Sequence, residues 1–504
     1  MIHSAQTSAP APRGRLAATA LPLLPLGLTL LVYHSIIENY FFGDDLYNLY
    51  QIANGDLLTY LVTPYGDHLL VTRNFLFYLC HRFFGTEPQG YFWVVLATHL
   101  VNVALFFHVI RGFTGSLLLA TFGASLWGAA PLHEGTLGWY SVFGNVVVAS
   151  CMLWLLADLA RILHGQGLGA STLGRWVVLS LVAITSFGVG IAIVLVLPLV
   201  VVLILPVGPQ RRALLLCTAV VAVTTPPLYF AVMRSTVPVG DPALVTSFLS
   251  FATVTIWDRL VSMVAMLAGY GVTSLLVGEL YSRKGFGGAL AYAAIAFYLV
   301  VVIGGLLRGS RQTRRVILGS VLLSTAAYGI VAAGRGMLWG DQFYLATRYQ
   351  YVGLIPATLA LCLGLGELDR SMLLSFSMKQ ALLVAWATAA VGAHLWLGRE
   401  IDHHRPQRNA TRFALDEMRR LIDAAPAGHD VYITNRVFAG VGPLMIRNPQ
   451  LFPGWAAAFA IFFPDNVVDG RRVFFVVPDA EVRAAARNGK RTSTLVVAPE
   501  EVRQ

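Results

Sequence analysis

The sequence predicts a polytopic membrane bundle built entirely of α-helices, followed by a small α/β domain. Of its 504 residues, 56% are hydrophobic and 12% are charged, whereas ordinary soluble domains are about 25% charged. The mean hydropathy is +0.66. Apolar stretches long enough to cross a hydrocarbon core of ~30 Å recur from Leu16 to Leu397. We expect about 11–12 transmembrane helices within 1–398 and a separate domain at 399–504, where the composition becomes that of a soluble protein.

The spans are placed by near-continuous apolar runs. These runs lie near 16–35, 91–110, 116–131, 141–160, 213–233, 288–307, 316–333, 349–366 and 380–397. The stretch 176–206 is too long for one simple crossing and short for two. Gly188 and Gly190 near its middle favour a break into two short tilted passes, and a single oblique helix is the alternative.

The N-terminus has the pattern of a signal peptide, with Arg13 and Arg15 ahead of the run from Leu16 to Val32. That run is long for the apolar region of a signal peptide, and further spans follow it. We therefore expect an uncleaved first helix.

Basic residues predict the side that each loop faces, because cytoplasmic loops carry an excess of Lys and Arg. The net charge is +10, and the basic residues lie mainly in short loops between spans. Their distribution therefore indicates membrane topology and not a nucleic-acid partner. Loops expected inside carry Arg13, Arg15, Arg111, Arg161, Arg175, Arg211, Arg212, Arg308, Arg311, Arg314 and Arg315. The segment 251–280 then starts and ends outside as an interfacial or re-entrant element. Merging 176–206 into one span would make that segment a true crossing.

The loop after the first span, 36–90, and the tail are both expected outside, as is the loop 334–347. In the first loop, the segments 46–52 and 68–84 have apolar residues at helical spacing and predict helices lying in the interface. In the tail, the pattern predicts helices at 413–424 and 480–487 and strands at 430–434, 472–477 and 494–498.

The cysteines indicate neither disulfides nor zinc. Cys80, Cys151, Cys217 and Cys362 lie in apolar runs and show no Cys-x-x-Cys or Cys/His spacing. We expect four buried free thiols.

Asp44 and Asp45 are the residues that say most about function, because they directly follow the first apolar run. Ionisable groups at membrane depth cost roughly 2.5–3.5 kcal/mol each on insertion scales, so those present usually line a cavity, pair or do chemistry. A carboxylate at the outer surface suits a general base acting on a hydroxyl nucleophile. The plainer alternative is a helix stop, with Asp favouring the start of the next helix. We expect both acids in a solvated loop.

Other polar groups are expected on the same face, where cations suit a phosphorylated leaving group. They are Asp67, His68, Arg73 and Arg82, then His133, Glu134, Trp139, Tyr140 and Ser141, and later Arg335, Arg348, Tyr349 and Tyr351. The plainer alternatives are the wet face of an interfacial helix for His68 and Arg73 and an ordinary turn for His133 and Glu134. Within the second span, His99 and Asn102 are expected to satisfy each other or a neighbouring helix.

In this order the motifs resemble those of the membrane-embedded glycosyltransferases of the C-type fold (GT-C), which take a sugar from a polyprenyl-phosphate carrier. The resemblance covers roughly 16–366. Its elements are Gly43-Asp44-Asp45, a first outer loop with His68 and Arg73, the turn Pro131-x-His133-Glu134, and the step Arg348-Tyr349 opening a late span.

The resemblance implies an integral membrane glycosyltransferase acting by inverting displacement. Asp44 or Asp45 would be the base that deprotonates the acceptor. The donor phosphate would be bound by His68, Arg73, Arg348 and Tyr349. A second group of residues would lie near the donor, the acceptor or a divalent cation (Mg²⁺ or Mn²⁺): His133, Glu134, Trp139 and Arg335. No further acidic motif for a metal is identified in the sequence, so metal dependence is left open and no cofactor is assigned.

The expected partners are a polyprenyl-phosphate-linked sugar, an envelope glycan, lipid or protein acceptor, and membrane lipids, with no nucleic acid. The expected location is the bacterial inner membrane, with site and tail extracytoplasmic. Neither a Walker loop nor a Rossmann glycine fingerprint is present in the sequence. Two alternatives remain. A secondary transporter or lipid-carrier flippase would place charged or broken helices near the bilayer midplane, and an assembly protein would use the tail as an interaction module.

Overall fold

The computed structural model describes most of the membrane part and pieces of the tail. The described residues are 21–64, 68–236, 260–261, 263–264, 267, 271–277, 289–335, 347–370, 392, 410–426, 428–433, 460–462, 467–468, 471–475 and 492–495. The expected crossing at 380–397, most of 251–280, and residues 1–20 therefore lie outside them.

The described part of the first 398 residues is helical. Its helices are α1 (Leu23–Tyr33), α2 (Asp44–Asn54), α3 (Leu57–Val62), α4 (Val71–Phe84), α5 (Pro88–Thr114), α6 (Leu117–Gly128), α7 (Glu134–Leu137), α8 (Gly144–Leu163), α9 (Ala170–Ser186), α10 (Gly188–Ile204), α11 (Pro209–Thr236), α12 (Thr273–Val277), α13 (Ala289–Arg308), α14 (Arg311–Arg335) and α15 (Gln350–Arg370). Single 3-10 turns lie at His34–Glu38, Pro131–His133, Tyr140–Val142 and Thr347–Tyr349.

The prediction of a polytopic helical membrane bundle is confirmed. Within the described residues, six helical stretches are long and apolar enough to cross a membrane: Pro88–Thr114, Tyr140–Leu163, Pro209–Val232, Ala291–Arg308, Arg311–Ala333 and Thr347–Leu368. Shorter apolar helices lie at Leu23–Glu38, Leu117–Gly128, Ala170–Ser186 and Gly188–Ile204. The span expected at 116–131 is shorter in the structure. Its helix ends at Gly128, and a 3-10 turn begins at Pro131.

The stretch 176–206 is two helices, as the glycines predicted. Helices α9 and α10 have 17 residues each, or about 25 Å of length. They meet at Phe187, whose backbone is extended with φ −163° and ψ 153°. A Cβ on Gly190 would collide with the backbone carbonyl of Ala183. The absence of a side chain at 190 is what lets the chain turn back so tightly.

Helix α15 is the centre of the bundle. It packs against α13 and α14 on one side and against α5, α6 and α8 on the other. In the apolar part of the candidate span Thr347–Leu368, 78% of the residues are buried, more than in any other candidate span. The turn Thr347–Tyr349 leads directly into α15, so both halves of the bundle hold its position.

The first loop contains three helices where two were predicted. Helix α2 covers the predicted segment 46–52, and α4 covers most of 68–84. Helix α3 was missed, and its N-cap Asp56 accepts a hydrogen bond from the Thr59 amide. His68 precedes α4 in an extended segment and is not part of the predicted helix.

The tail contains the α/β elements that the sequence predicted at 413–424 and at three strands. Helix α16 (Ala410–Ala424) precedes a sheet of β1 (Asp430–Ile433), β2 (Val467–Val468), β3 (Arg471–Phe475) and β4 (Thr492–Leu495). The strand order is β2-β3-β1-β4, with β1 parallel to β3 and β4 and with β2 antiparallel to β3. Strand β2 was not predicted, and the helix expected at 480–487 lies outside the described residues. The rings of Tyr40 and Phe462 lie 6.4 Å apart, so the tail contacts the first loop.

All four cysteines are free thiols, as predicted. Cys80, Cys151 and Cys362 are buried. The prediction of burial is wrong for Cys217, which is half-buried because it lines an open groove between α9 and α11.

Substituting Gly190 should disrupt the turn between α9 and α10. In Gly190→Ala the new methyl group meets a backbone carbonyl that cannot rotate away, so we expect a lower melting temperature in detergent. Gly174→Ala is the matched control within α9, since a Cβ there has open space around it, and alanine in a helix is favoured over glycine by roughly 0.5–1 kcal/mol. A wild-type melting temperature for Gly190→Ala would contradict this account of the turn.

Candidate functional site

Three chain segments meet at one end of the bundle, and we call this region the loop cluster. The segments are 42–48 of the first loop, 133–141 of the second loop, and the turn Thr347–Tyr349 before α15. Ser141 joins the first two by hydrogen bonds to Asp45. Trp139 joins the first to the third, because its ring lies 5.8 Å from that of Phe42 and 5.4 Å from the Arg348 guanidinium carbon.

Asp45 locks the first loop to the second. Its Oδ1 accepts hydrogen bonds from the Ser141 amide at 2.7 Å and the Ser141 hydroxyl at 2.5 Å. Its Oδ2 accepts one from the Phe42 amide at 3.0 Å. The expectation of a solvated carboxylate is wrong for Asp45, which is completely buried. The preceding Gly43 has φ +58°, a region that favours glycine, and it turns the chain so that Asp45 points inward.

Burial changes the acidity of Asp45. It raises the pKa of this carboxyl from 3.8 to about 6, in spite of hydrogen bonds from Ser141 and Phe42 that lower it, and the neighbouring charge of Asp44 raises it further. The charged form is disfavoured because a buried carboxylate loses its hydration. The hydrogen bonds that its oxygens accept from Phe42 and Ser141 nevertheless hold the two loops together.

Asp44 is the accessible carboxylate of the pair. It is half-buried and begins helix α2, where the N-terminal end of the helix dipole favours a negative charge. Its backbone carbonyl accepts a hydrogen bond from Asn48 Nδ2 at 2.7 Å. The first turn of α2 thus buries one acid completely and leaves the other half-buried.

Arg73 supplies a buried positive charge behind the acids. Its side chain is 1% exposed, and its Nη1 donates to Asn48 Oδ1 at 2.7 Å. No carboxylate among the described residues forms a salt bridge with Arg73, and its Nε has no acceptor there. Removing an ion from water without a counter-ion costs several kcal/mol. A small polar cleft beside it is lined by Tyr47, Gln51 and Asn74 among others.

Asn48 connects this arginine to the loop cluster. Its Oδ1 also accepts from the Tyr60 hydroxyl at 3.1 Å, and its Nδ2 lies 3.4 Å from the Ser141 hydroxyl. Sequence reasoning missed Asn48 and Tyr60. Asn48 stands one helical turn after Asp44, where side chains share a face, and that spacing was the available signal.

Arg348 lies between two aromatic rings. Its guanidinium carbon is 5.4 Å from the ring centre of Trp139 and 4.9 Å from that of Tyr349, within the distance of cation–π attraction. Its backbone carbonyl accepts hydrogen bonds from Thr136 Oγ1 at 3.2 Å and Asn145 Nδ2 at 3.3 Å. The charge is therefore held in place over Trp139, at the end of the central helix.

A buried polar network fixes the first turn of α15. His99 Nε2 lies 2.9 Å from the Gly128 carbonyl, which only accepts, so Nε2 carries the proton and Nδ1 accepts from the Tyr351 hydroxyl at 2.7 Å. Trp127 Nε1 donates to the Tyr351 carbonyl at 3.2 Å. Asn102 donates to the Val146 carbonyl and lies 3.4 Å from the Tyr351 hydroxyl. His99 and Asn102 are satisfied by neighbouring helices, as predicted.

The remaining predicted residues lie apart from this arrangement or at its border. His133 is completely buried, with its ring 4.6 Å from Tyr351, and burial lowers its pKa well below the usual value, so it is neutral. His68 packs against Phe187 at 5.5 Å. Glu134 is half-buried and directs Oε1 toward Gly138.

Two further predicted residues are only partly described or not described. Arg335 is the last residue of α14, and its side chain lies outside the described residues, as does the whole of Asp67.

The residues that the structure describes do not fit a divalent cation. They contain no group of three His, Cys, Asp or Glu side chains suitably close together. Both oxygens of Asp45 already accept hydrogen bonds, whereas Mg²⁺ requires free oxygen ligands at near-octahedral geometry. The proposed reaction uses no metal ion.

The chain shows limited similarity to known proteins. No protein-family model matches the chain, and no curated protein matches its sequence. Among solved structures it is similar to the crystal structure of the Archaeoglobus fulgidus oligosaccharyltransferase in complex with Zn and sulfate, with 13% identity and a TM-score of 0.40. The match covers 84% of this chain and spans only 60% of that one.

Stability should depend on pH through Asp45. Because its folded pKa is raised, the native state holds this proton between pH ~4 and ~6 while the unfolded state has released it. The free energy of unfolding should therefore fall as pH rises through this window, by on the order of 3 kcal/mol, and then level off. Asp45→Asn should flatten this decline of the melting temperature in detergent, whatever its absolute stability.

The exposed cap Asp56 provides the control for this measurement, since Asp56→Asn keeps a good capping residue. It should keep the wild-type decline between pH 4 and 6. An unchanged decline in Asp45→Asn would show that other groups cause the pH dependence.

Proposed function

We propose that this protein is an inverting membrane glycosyltransferase that moves a sugar from a polyprenyl-phosphate donor to the hydroxyl of an acceptor. The observation that carries the proposal is the loop cluster itself. It holds the half-buried carboxylate of Asp44 and the guanidinium of Arg348, and Asn48 connects it to the guanidinium of Arg73 in α4. A base beside two phosphate-binding cations is the set of groups that such a transfer needs.

In the proposed step, Asp44 accepts the proton of the acceptor hydroxyl. The freed oxygen attacks the anomeric carbon from the face opposite the phosphate, and the bond between that carbon and the phosphate oxygen breaks. The electron pair leaves with the lipid phosphate, and the configuration at the anomeric carbon is inverted. Asp45 is a positioning residue, because its oxygens are used by Ser141 and Phe42.

The two arginines are proposed to bind the lipid phosphate before and after transfer. Arg73 lacks a counter-ion among the described residues, so a phosphate would compensate a charge that is already desolvated. Arg348 offers a planar group that can donate to two phosphate oxygens at once. Tyr349, whose hydroxyl lies 3.5 Å from Arg348 Nη2, is placed to orient it. Trp139 presents a ring at the same point, where a sugar can stack.

The acceptor is proposed to be an envelope glycan, lipid or protein. The proposed location is the bacterial inner membrane, with the loop cluster and the tail on the extracytoplasmic face, as the arginine distribution predicts. The transporter alternative would place charged or glycine-broken helices near the bilayer midplane, whereas Asp44 and Arg348 lie in the loop cluster at one end of the bundle.

The two acids should differ in how their loss affects transfer. Asp44→Asn should lower kcat by roughly 10²-fold or more, the scale for losing a general base, while donor affinity is retained. Asp45→Asn should lower kcat and loosen donor binding together, because the lock to Ser141 is weakened. Radiolabelled sugar transfer from a synthetic polyprenyl-phosphate donor measures both.

Asp56→Asn is the matched control for this test, since it changes an exposed acid of the same loop and preserves the helix cap. It should transfer at the wild-type rate. Wild-type rates in Asp44→Asn would remove the proposed base and overturn the mechanism.

Arg348 should be intolerant of conservative change. Arg348→Ala should weaken binding of a polyprenyl-phosphate analogue by about 1.5–3 kcal/mol, the range for hydrogen bonds to charged groups, and Arg348→Lys should recover only part of it. Acceptor affinity should not change. Arg311→Ala, an exposed arginine at the start of α14, is the control. Donor affinity equal to wild type in Arg348→Ala would exclude this residue from the site.

A further inference from the structure

The connection between α13 and α14 concentrates positive charge, and we call residues 308–315 the arginine tip. This segment contains four arginines and no acid: Arg308, Arg311, Arg314 and Arg315. All but the last are exposed. No carboxylate of the described residues forms a salt bridge with any of the four. One candidate membrane span ends at Arg308 and the next begins at Arg311, so the tip lies at the level of the lipid headgroups.

Arg314 is fixed in place within the arginine tip. Its Nε donates to the Gly309 carbonyl and its Nη2 to the Leu307 carbonyl, each at 2.8 Å. The last carbonyls of a helix have no partner within it and carry partial negative charge. The guanidinium of Arg314 is therefore held beside the last turn of α13, while its side chain remains exposed.

An apolar stripe on α13 ends at the same place. Val300, Ile303 and Leu307 are 65%, 49% and 71% exposed, and their spacing of three and four residues puts them on one face of the helix. The stripe covers about 10 Å of helix. Its last member is Leu307, whose carbonyl accepts the hydrogen bond from Arg314. An apolar surface and a cationic group therefore adjoin on the outside of the bundle.

The inner side of the arginine tip contacts one carboxylate of the described residues. Glu367 of α15 accepts a hydrogen bond from Thr313 Oγ1 at 2.8 Å. Thr313 is buried, so this acid lies on the side of the tip that packs against the bundle. The four arginines outnumber it, and the outer side of the tip keeps its positive charge.

We propose that the arginine tip and the apolar stripe form a binding site for an anionic phospholipid of the bilayer. The lipid phosphate contacts the arginines, and an acyl chain lies along the stripe. A guanidinium can donate two parallel hydrogen bonds to phosphate oxygens, and basic clusters beside transmembrane helices attract anionic headgroups. A zwitterionic headgroup carries an ammonium group that opposes this attraction. The preferred partner is therefore a lipid with net negative charge, such as phosphatidylglycerol.

Native mass spectrometry of the full-length protein in detergent resolves single lipid-binding events and tests the headgroup. Phosphatidylglycerol and phosphatidylcholine with the same acyl chains are titrated separately. The wild type should bind its first phosphatidylglycerol about fivefold or more tightly than phosphatidylcholine, the factor expected from one basic residue near an anionic headgroup. Arg308→Gln combined with Arg311→Gln should remove most of this preference. Arg212→Gln is the matched control, an exposed arginine in the first turn of another candidate span, α11, and should keep it.

The stripe is tested by a change that leaves the charge intact. Leu307→Ser should weaken the first binding event of both lipids by the same factor, because the acyl chain is common to them. Leu216→Ser, at a leucine of α11 that is 67% exposed, is the control and should not change it. Soluble glycerol phosphate, added at the concentration of the lipid, should not displace phosphatidylglycerol because it lacks the chain.

The preference of the double arginine variant decides the assignment. A preference equal to that of the wild type overturns the site, and an equal loss in Arg212→Gln overturns it too, since total surface charge would then attract the lipid. Displacement by glycerol phosphate, or unchanged binding in Leu307→Ser, overturns the role of the stripe. Unchanged binding of phosphatidylcholine in the double variant shows that it is folded. None of these measurements uses sugar transfer, so the result is independent of the proposed function.

Discussion

The hydrogen bonds between Asp45 and Ser141 are the contact on which the loop cluster depends. They join residues 96 positions apart in the chain, and they fix the first turn of α2 against the second loop. Since Asp44 and Asn48 belong to that turn, their positions follow from the same contact. The Asp45 carboxylate accepts hydrogen bonds from the amide and hydroxyl of Ser141 and from the Phe42 amide, so it has little freedom to rotate and forms a rigid connection despite the penalty of burying it.

The central helix extends this arrangement into the bundle. Tyr351 is the second residue of α15 and is held by His99 from α5 and Trp127 from α6. Arg348 lies just before that helix, and its carbonyl is held by Thr136 and Asn145. The position of the guanidinium over Trp139 therefore depends on helices from both halves of the chain. Buried hydrogen bonds are strong in this low-dielectric interior, so the site rests on a stiff support.

The sequence pointed to the acids and arginines of the site, but it did not reveal which of them are buried or which residues they contact. Asp44 and Asp45 are adjacent in sequence and identical in type, and only the reversal of direction at Gly43 makes one accessible and the other buried. His133 looked like a loop histidine beside an acid, yet it packs against Tyr351. Arg73 lies in a segment whose apolar spacing is typical of an interfacial helix, which would expose it to water. In the structure it is buried and donates a hydrogen bond to Asn48. In each case neighbours distant in sequence decided the outcome.

The sequence by itself determined the membrane bundle, most of the described spans, the break near Gly188 and Gly190, the four free thiols and three of the four described strands of the tail. These features follow from local composition and periodicity, because the hydrophobic effect and backbone geometry act on each segment independently of its partners. Only the tertiary structure decided which residues of 42–48, 133–141 and 347–349 meet, which acid stays accessible, and where α9 and α11 leave a groove. Those features depend on packing between segments far apart in the chain, and no local pattern encodes which segments come together.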